Sequence, residues 1–450
     1  MNAPSFLKRL LRKVVPPKDS TRAAERKARA LIALCRALLS ERGEVSGAAL
    51  AREALAAYEA LPANALKPFF NMLAADFSPD SAEIAHAAAV YRQDTSPQNL
   101  IALQRAVEPP RQELFRRLNI APGGTAILVD VRRRLLQELN SNPHWLGVDA
   151  DLAHLFGSWF NRGFLQLEKI DWHTPAIILE KLIQYEAVHE ITGWQDLHRR
   201  LAADRRCFAF FHPALPHEPL IFIEVALSDR ISDAAQPLLD PESREADPAR
   251  ADCAIFYSIT NCQAGLRGIS FGNLLVKQVV HELGREFPRL KTFATLSPIP
   301  GFRAWLADMT LKLAETARGA EVAQELKRLQ EADWHQKTDV AARLRPLLMT
   351  LCAYYLIQAK KDGEPFDHVA RFHLGNGARM ERLNWLADTS KHGMQSSAGL
   401  MVNYVYRLSH LERNHEVFVT NHRVVASYEL KKLARACVLS RKSDQASHAA

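Results

Sequence analysis

The stretch that decides the fold runs from Ala254 to Gly301. It reads AIFYSIT at 254–260, NCQAGLRGIS at 261–270 and FGNLLVKQVVHELGREF at 271–287, then TFATLS at 292–297 and PIPG at 298–301. The first and fourth segments are typical of strands, and the third has apolar residues at helical spacing. The order strand, glycine-containing loop, helix and strand predicts a βαβ crossover with two parallel strands.

The loop of this unit has features of an anion site. Gly265 and Gly268 lie shortly before the predicted helix, where bare backbone N–H groups can approach an anion and the helix start adds partial positive charge. Arg267 adds a full charge between them. A diphosphate fits such a loop, although the chain contains neither GxxxxGK[ST] nor a complete GxGxxG. On spacing alone, phosphate binding and an ordinary tight turn are equally good interpretations.

The chain on either side of this unit differs in character. Residues 21–160 show one helical pattern after another, with predicted helices at Ala63–Phe77, Ser81–Tyr91, Pro97–Val107, Pro110–Leu118 and Thr125–Leu139. Short-looped helices without a chemical motif are typical of packing or oligomerisation modules. Later runs read as strands, at Cys207–Phe211, Pro219–Leu227 and Ala254–Thr260. We therefore expect an α+β protein with an all-helical domain at 1–160 and an α/β domain with a mixed sheet at 161–450.

Composition restricts the function classes. The 450 residues are 48% hydrophobic and 24% charged, which is typical of a globular protein. Since no apolar run approaches the roughly 20 residues of a spanning helix, we expect no membrane span. The excess of 58 Lys+Arg over 50 Asp+Glu suits an anionic ligand but is weak evidence for nucleic acid. The six cysteines form no CxxC pair, so we expect reduced, mostly buried thiols.

Two side chains are candidates for chemistry. Ser297 follows a predicted strand at its carboxyl end, where open sheets place their ligand crevice, but Pro298 excludes the nucleophile elbow of a hydrolase. His373 lies in FHLGNGA at 372–378, before two glycines. A serine before a proline more often caps a strand end, and a lone histidine is more often structural than catalytic. The pairs His281-Glu282 and His189-Glu190 lack a second histidine at HExxH spacing, so we predict no metal site.

Several segments together carry a resemblance. They are SPIPGF at 297–302, FHLGNGA at 372–378, NWLAD at 384–388 and GLMVNYVY at 399–406, joined by FFHP at 210–213, EPL at 218–220 and GLRG at 265–268. These segments follow one another in the family's order between about residue 194 and residue 407, and in them the chain resembles the malonyl-CoA decarboxylase family. The resemblance implies decarboxylation of malonyl-CoA to acetyl-CoA and CO₂ by a C-terminal domain of the GNAT-type acyltransferase fold. It also implies a helical N-terminal domain that drives formation of a homo-oligomer, a dimer or a tetramer.

The resemblance also implies roles for individual residues. Ser297 matches the family's proton acceptor, His373 its proton donor and Tyr406 a tyrosine of the same pocket, with Asn403 as a supporting residue. Which of Ser297 and His373 faces the carboxylate stays open. The segment matching the coenzyme A loop is Arg267, Gly268, Ile269, Ser270, Phe271, Gly272 and Asn273. Some relatives have an acid at the position of Ser270. No metal, pyridoxal phosphate or biotin is expected, because the thioester itself accepts the electrons.

Three further points stay open. The 3′-phosphate of coenzyme A needs cations, and Arg199, Arg200, Arg205 and Arg206 are candidates if they are not simply a solvated charge run. A GNAT-type acyltransferase that passes its acyl group to an amine is the nearest alternative. A basic helical scaffold for nucleic acid or membrane is a second alternative, which leaves the Ser297 and His373 segments without a role.

The chain ends also bear on location. Residues 1–22 have no acid before Asp19, and Phe6, Leu7, Leu10, Leu11 and Val14 are interleaved with basic residues. This pattern fits a frayed basic tail, a surface-seeking helix or a mitochondrial presequence. The C-terminal Ser-His-Ala-Ala lacks the Ser-Lys-Leu peroxisomal signal. With the Ala- and Arg-rich composition, we expect a bacterial cytoplasmic protein.

Overall fold

The computed structural model describes residues 18–269, 275–315 and 317–440. These residues form two compact units. The first contains the chain up to Leu165 together with His212–Pro216 and 263–269, and the second contains Gln166–Phe211, His217–Cys262 and the later residues. The basic N-terminal segment at 1–17 and the C-terminal tail at 441–450 lie outside the described residues. So do Ser270, Phe271, Gly272 and Asn273 of the expected coenzyme A loop.

The first unit is built from α-helices. In chain order they are α1 Lys18–Leu39, α2 Glu41–Glu59, α3 Ala63–Asp76, α4 Ser81–Gln93, α5 Pro97–Val107, α6 Pro110–Ile120, α7 Gly124–Glu138 and α8 Leu146–Trp159. Apolar residues three or four apart form the inner face of each packed helix, as Leu31, Cys35 and Leu38 do on α1. Asp80 and Ser96 cap α4 and α5 by accepting backbone N–H groups. The helices predicted between Ala63 and Leu139 are confirmed.

The second unit contains the β-strands. They are β1 Gln166–Ile170, β2 Arg205–Phe211, β3 Ile221–Ser228, β4 Cys253–Asn261, β5 Thr292–Thr295, β6 Ser297–Pro298, β7 Lys360–Lys361, β8 Glu364–Pro365, β9 Arg379–Asn384 and β10 Met401–Tyr406. β7 and β8 form a separate two-stranded ribbon, and the other eight strands form one sheet. β3 is buried from Ile221 to Leu227, as its nearly continuous apolar run predicts.

Helices cover this sheet. They are α9 Ala176–Tyr185, α10 Trp194–Arg200, α11 Gln236–Leu239, α12 Leu275–Glu286, α13 Phe302–Ala314, α14 Ala317–Leu326, α15 Thr338–Ile357, α16 His368–Gly375, α17 Lys391–Ser397, α18 Leu411–Asn421 and α19 Tyr428–Ala436. Among the described helices, α15 is long and apolar enough to cross a membrane, by length and composition alone. Its buried residues include Leu344, Leu348 and Leu351, which is the pattern of a core helix.

The sheet is mixed. Its neighbours run β1-β2-β3-β4-β5-β10, with β6 beside β10 as well and β9 on the other edge of β10. β4 and β5 are parallel and α12 lies between them in the chain, so the predicted crossover is confirmed. The remaining pairs of this sheet are antiparallel. A helical N-terminal region followed by a domain with a mixed sheet confirms the expected α+β fold class.

The sheet opens beside β4. β5 pairs with β4 only from Cys253 to Phe256, and the N–H of Leu296 makes a last bond to the Phe256 carbonyl at 3.0 Å. From there β4 continues along β3 as far as Asn261, whereas Ser297 pairs with Val402 of β10. Because strand β4 and the segment from β5 to β6 diverge at this point, a gap remains between the second half of β4 and β6.

Candidate active site

A cavity of about 330 Å³ lies in the second unit at this opening. That volume is within the range of small-molecule sites. Phe256, Ile259, Leu275, Val276, Leu296 and Met401 are among its apolar lining residues. The polar lining residues include Thr260, Asn261, Ser297, His368, His373, Asp388, His392, Ser396 and Ser397. The cavity therefore joins an apolar passage to a cluster of hydroxyl, imidazole and carboxylate groups.

The backbone turn after β5 holds Ser297 at this cavity. Pro298 and Pro300 limit the backbone, and Gly301 is required because a Cβ there would lie 2.4 Å from the Tyr355 hydroxyl oxygen. Ser297 is 5% exposed. Its hydroxyl donates to Thr295 Oγ1 at 2.8 Å. A strand residue two positions before Ser297 points to the same face, which is why these two side chains meet.

His373 comes from α16, a short helix with defined ends. Asp367 caps its start by accepting the N–H of Ala370 at 2.8 Å. The helix ends at Gly375, and Gly377 follows at φ +80°, where a Cβ would lie 2.2 Å from the Leu411 carbonyl oxygen. The glycine pair is therefore needed to stop the helix, which leaves His373 on the last turn, facing β6 and β10.

The His373 ring is held on three sides. Nε2 lies 2.9 Å from Ser297 Oγ, and Nδ1 lies 2.7 Å from the Tyr406 hydroxyl oxygen. The ring of Tyr404 stacks on the imidazole at 4.4 Å between centroids. The Ser297 hydroxyl donates to Thr295, so the Ser297 oxygen presents a lone pair toward Nε2. The expected serine–histidine pair is thus within hydrogen-bond distance.

Burial sets the charge state of this pair. It lowers the pKa of His373 to about 3, because removal from water disfavours the charged imidazolium. The pKa of Tyr406 is raised above its ordinary value for the same reason. At pH 7 the ring is therefore a neutral N–H donor rather than a cation, and the tyrosine keeps its proton.

Two of the expected site residues lie behind the cavity wall. Tyr406 does not line the cavity and reaches it only through His373. Asn403 is fully buried, donates to the Thr295 carbonyl at 2.8 Å and accepts from Asn384 Nδ2 at 2.8 Å. Asn403 therefore ties strands together and does not line the cavity.

The comparisons with known proteins agree on one family. The sequence profile of the malonyl-CoA decarboxylase C-terminal domain matches residues 163–447, and that of the N-terminal domain matches residues 77–160. The mitochondrial malonyl-CoA decarboxylase of Rattus norvegicus is 34% identical over 461 residues, which cover 95% of this chain and 91% of the rat protein. This chain belongs to the malonyl-CoA decarboxylase family.

Solved structures of the family lead to the same conclusion. The crystal structure of malonyl-CoA decarboxylase from Rhodopseudomonas palustris is 50% identical with a TM-score of 0.85, and covers 90% of this chain and 99% of that one. The structure from Agrobacterium vitis is 49% identical with a TM-score of 0.84, at the same coverage. The family that the Ser297 and His373 segments predicted is therefore confirmed.

Within the first unit, Arg132 holds the described part of the expected coenzyme A loop. It is 4% exposed, and its Nη1 donates to the carbonyls of Gly265 at 2.8 Å and Arg267 at 2.9 Å. Its Nε donates to Asp149 at 2.8 Å. In the sequence, Arg132 is the first of three consecutive arginines at 132–134, which span most of a helical turn and so predict no single anion site. Contacts to a loop 133 residues away are not visible in such a run.

The two glycines of this loop are needed for different reasons. A Cβ on Gly265 would lie 2.0 Å from the Val129 carbonyl oxygen, so close packing on α7 requires glycine there. Gly268 has φ +81° and no atom near its Cβ position, so its backbone conformation is the reason. The N–H groups of Arg267 and Ile269 are used in turns inside the loop. Among the described residues of the loop, Gly268 combines a backbone without a side chain with open space at its Cβ position.

The four arginines considered for the 3′-phosphate are already paired. Arg199 and Arg205 both contact Asp204, at 2.7 and 2.9 Å. Arg200 binds Glu224 at 2.7 Å, and Arg206 binds Glu286 at 2.8 Å. Because Arg199, Arg200 and Arg205 are buried, the interpretation of these three as a solvated charge run is wrong, and their guanidinium groups do not face solvent where a phosphate could reach them. The interpretation of Arg206 as a phosphate ligand stays a prediction. These pairs neutralise charge inside the second unit.

The structure also shows the state of the cysteines and of possible metal ligands. All six cysteines are buried and unpaired, as expected. Across the part of the chain that the structure describes, no group of three or more His, Cys, Asp or Glu side chains could hold a metal ion.

Proposed function

We propose that this protein decarboxylates malonyl-CoA to acetyl-CoA and CO₂ in the cavity beside β4, with Ser297 and His373 as the reacting pair. The observation that carries the proposal is the 2.9 Å contact between Ser297 Oγ and His373 Nε2 in the wall of that cavity. The proposal is also supported by membership in the malonyl-CoA decarboxylase family.

The proposed reaction needs no covalent bond between the substrate and the protein. The bond between the carboxylate carbon and the α-carbon breaks, and its electron pair moves into the thioester to form an enolate as CO₂ leaves. The α-carbon then takes one proton, so malonyl-CoA and a proton give acetyl-CoA and CO₂. Because the thioester accepts the electrons, we propose that no metal, pyridoxal phosphate or biotin takes part. The protein must orient the carboxylate, exclude water and stabilise the enolate oxygen.

Ser297 suits the carboxylate end of this reaction. Its hydroxyl is neutral, so it can orient the carboxylate without the salt bridge that would stabilise the substrate more than the transition state. A carboxylate beside it can compete with Thr295 for the hydroxyl hydrogen. Ser297 is also nearly buried, so water is displaced when substrate fills the site.

His373 suits the enolate end. Its neutral ring presents an Nε2–H that can donate to the developing oxyanion and then pass this proton to the α-carbon. The Tyr406 hydroxyl at Nδ1 stabilises the negative charge that the ring then carries. Solvent returns the proton to Nε2 after the products leave.

The direct test supplies malonyl-CoA alone. We expect equal amounts of CO₂ and acetyl-CoA, formed without an acyl acceptor and at the same rate with and without a chelator. An enzyme that releases coenzyme A only when an amine is added is the acyltransferase alternative. A rate that the chelator abolishes would contradict the proposed independence from metal.

We further propose that Arg132 positions the coenzyme A loop, so Arg132→Gln should raise the KM for malonyl-CoA about tenfold with little change in kcat. The factor corresponds to about 1.4 kcal/mol, which is in the range expected for loss of the two hydrogen bonds from Nη1 to the loop carbonyls. The variant also leaves Asp149 unpaired, and breaking a buried ion pair typically costs about 3–5 kcal/mol of folding free energy. Steady-state kinetics and urea unfolding measure both effects.

The neighbouring Arg133 is the matched control. Its side chain is 40% exposed and pairs only with Asp130 on its own helix. Arg133→Gln should therefore keep wild-type KM and stability. A wild-type KM in a folded Arg132→Gln protein would contradict the positioning role.

We also propose that a homo-oligomer, a dimer or tetramer, forms through the helical unit. The hairpin of α4 and α5 is its best candidate surface, because α4 has no buried residue and α5 buries only Ala106. Leu100, Ile101 and Val107 are between 39% and 48% exposed. Exposed apolar residues grouped on one hairpin often mark a protein interface.

Charge on this hairpin should dissociate the assembly. We expect Leu100→Glu with Ile101→Glu to shift the protein toward monomer in sedimentation velocity, since two carboxylates cannot be buried unpaired. Gln104→Glu adds a charge at an exposed polar position of the same helix and should keep the wild-type state. An unchanged oligomer in the double variant would move the interface elsewhere.

A cytoplasmic location in a bacterium completes the proposal. The solved relatives of 49% and 50% identity come from the bacteria Agrobacterium vitis and Rhodopseudomonas palustris. The rat relative is named as a mitochondrial protein, and a mitochondrial location is the alternative for this chain.

A further inference from the structure

We propose that Thr295 is a positioning residue that selects the Nε2–H tautomer of His373 through the Ser297 hydroxyl. This inference builds on the proposed function, since that tautomer is the one that can donate to an enolate. Thr295 itself does not line the cavity. It acts only through Ser297.

The first step of the argument is the geometry around Thr295. Its Oγ1 accepts from Ser297 Oγ at 2.8 Å and from the N–H of Tyr404 at 3.2 Å. A hydroxyl oxygen has two lone pairs, so both are occupied. Toward Ser297, Thr295 is therefore an acceptor. The residue is fully buried, so water does not compete for these positions.

The second step concerns Ser297. Its single hydrogen can go to only one acceptor, and in this arrangement it goes to Thr295. Oγ then faces His373 with a lone pair, and a contact of 2.9 Å between two lone pairs would be repulsive. Nε2 must therefore carry the hydrogen, and Nδ1 must accept from Tyr406.

Removal of Thr295 would allow the hydrogen bonds along Ser297, His373 and Tyr406 to run in the opposite direction. Without this acceptor, the Ser297 hydroxyl can turn and donate to Nε2. The ring proton then moves to Nδ1 and points at the Tyr406 oxygen. His373 would present a lone pair to the enolate oxygen, which repels it. Because Thr295 and Tyr406 at the two ends of this chain are buried and do not line the cavity, water does not replace either of them as a partner.

The substrate does not upset this assignment. A malonyl carboxylate competes with Thr295 for the Ser297 hydrogen, but the hydrogen still does not go to Nε2. His373 therefore keeps its donor through binding and bond cleavage. When CO₂ has left, Thr295 is again the available acceptor.

The test is nitrogen NMR on protein labelled with ¹⁵N-histidine, without substrate. We expect wild-type His373, assigned by comparison with His373→Gln, to show a protonated Nε2 and an unprotonated Nδ1. Thr295→Val removes the acceptor at similar shape and should shift the population toward Nδ1–H, and Thr295→Ala does the same if the valine variant does not fold. Thr295→Ser should keep the wild-type pattern. A wild-type protein with Nδ1–H overturns the proposal directly.

Kinetics provide the second readout. We expect kcat to fall roughly 10- to 100-fold in Thr295→Val with KM nearly unchanged, and to recover in Thr295→Ser. Thr310→Val is the matched control, since it removes a threonine hydroxyl bonded to the Leu306 carbonyl on α13. A fall in kcat with an unchanged tautomer would show a merely structural role and overturn the inference. If wild type fails to decarboxylate malonyl-CoA, the proposed function fails, while the tautomer measurement still decides the role of Thr295.

Discussion

Replacing His373 by alanine should lower kcat for malonyl-CoA by at least about 100-fold, the loss typical of one preorganised donor at a developing oxyanion. His373 is the only imidazole that contacts Ser297 within the part of the chain that the structure describes. In the proposed mechanism its Nε2–H both stabilises the enolate and protonates the carbon, so its removal affects two steps. His373→Gln retains more of the side-chain volume and should lose a similar factor. Single-turnover kinetics with labelled malonyl-CoA measure the step directly.

Loss of packing must be separated from loss of chemistry. His212 is a buried histidine of the first unit that does not line the cavity, and His212→Ala is the control. We expect both variants to unfold cooperatively, and only the His373 variant to lose turnover. Wild-type turnover in a folded His373→Ala protein would remove this residue from the mechanism.

The pH dependence of the wild-type enzyme tests the charge state of His373. With its pKa lowered to about 3, the ring gains a proton only as the pH falls toward that value. An imidazole near its ordinary pKa of about 6.5 would instead change charge between pH 8 and 5. We therefore expect kcat/KM to show no inflection from this residue between pH 8 and 5. An acid limb near 6.5 that disappears in His373→Gln would contradict the neutral ring.

The free energy of unfolding should also depend on pH through the protonation of His373. In the unfolded chain His373 takes up a proton as the pH falls below about 6.5, whereas in the folded chain it stays neutral down to about 3. The unfolded state therefore binds more protons in this window, and stability falls as the pH falls. His373→Gln should reduce this dependence.

Replacing Ser297 by alanine is the second large effect. We expect kcat to fall by about 100- to 1,000-fold, because the carboxylate loses its orienting hydroxyl and Nε2 loses its partner. The change removes one oxygen atom, so the fold should survive. Chemical denaturation and the rate of CO₂ release measure the two quantities on the same preparation.

Ser440→Ala is the matched control for this variant. Ser440 is also buried and hydrogen-bonded, to Gln358 and to the Ala434 carbonyl, but it does not line the cavity. It should lose stability without losing turnover. If Ser297→Ala turns over malonyl-CoA like wild type, the carboxylate is oriented by another group.

Much of the fold could be predicted from sequence because its signals are local. The β3 run is apolar at nearly every position, and α4 and α5 have their own capping residues, Asp80 and Ser96. β1 and β9 read QLEKI and RMERLN, so their charged residues hide the alternation that predicts a strand. Their pairing with β2 and β10 is a contact between distant segments. No local pattern reports such a contact.

The site was predicted in part. Ser297 and His373 could be named because the segments around them resemble a family, not because their spacing indicates chemistry. Thr295 had one weak signal, its position two residues before Ser297 on a strand. Arg132 had none, because its partners are the carbonyls of a loop far along the chain. Arg199, Arg200 and Arg205 were misjudged because the sequence shows their charge but not the buried carboxylates of Asp204 and Glu224 beside them.

The amino-acid sequence by itself determined the helical first third, the strand–loop–helix–strand unit and the family, since periodicity and motif order are properties of neighbouring residues. Only the tertiary structure decided that Ser297 and His373 meet across 76 residues of chain, that Asn403 and Tyr406 lie behind the cavity wall, and that His373 is neutral. The physical reason is that hydrogen-bond distance and desolvation depend on which distant segments fold together. The parting of β4 from β6 creates the cavity, and burial against β10 lowers the pKa of the histidine beside it.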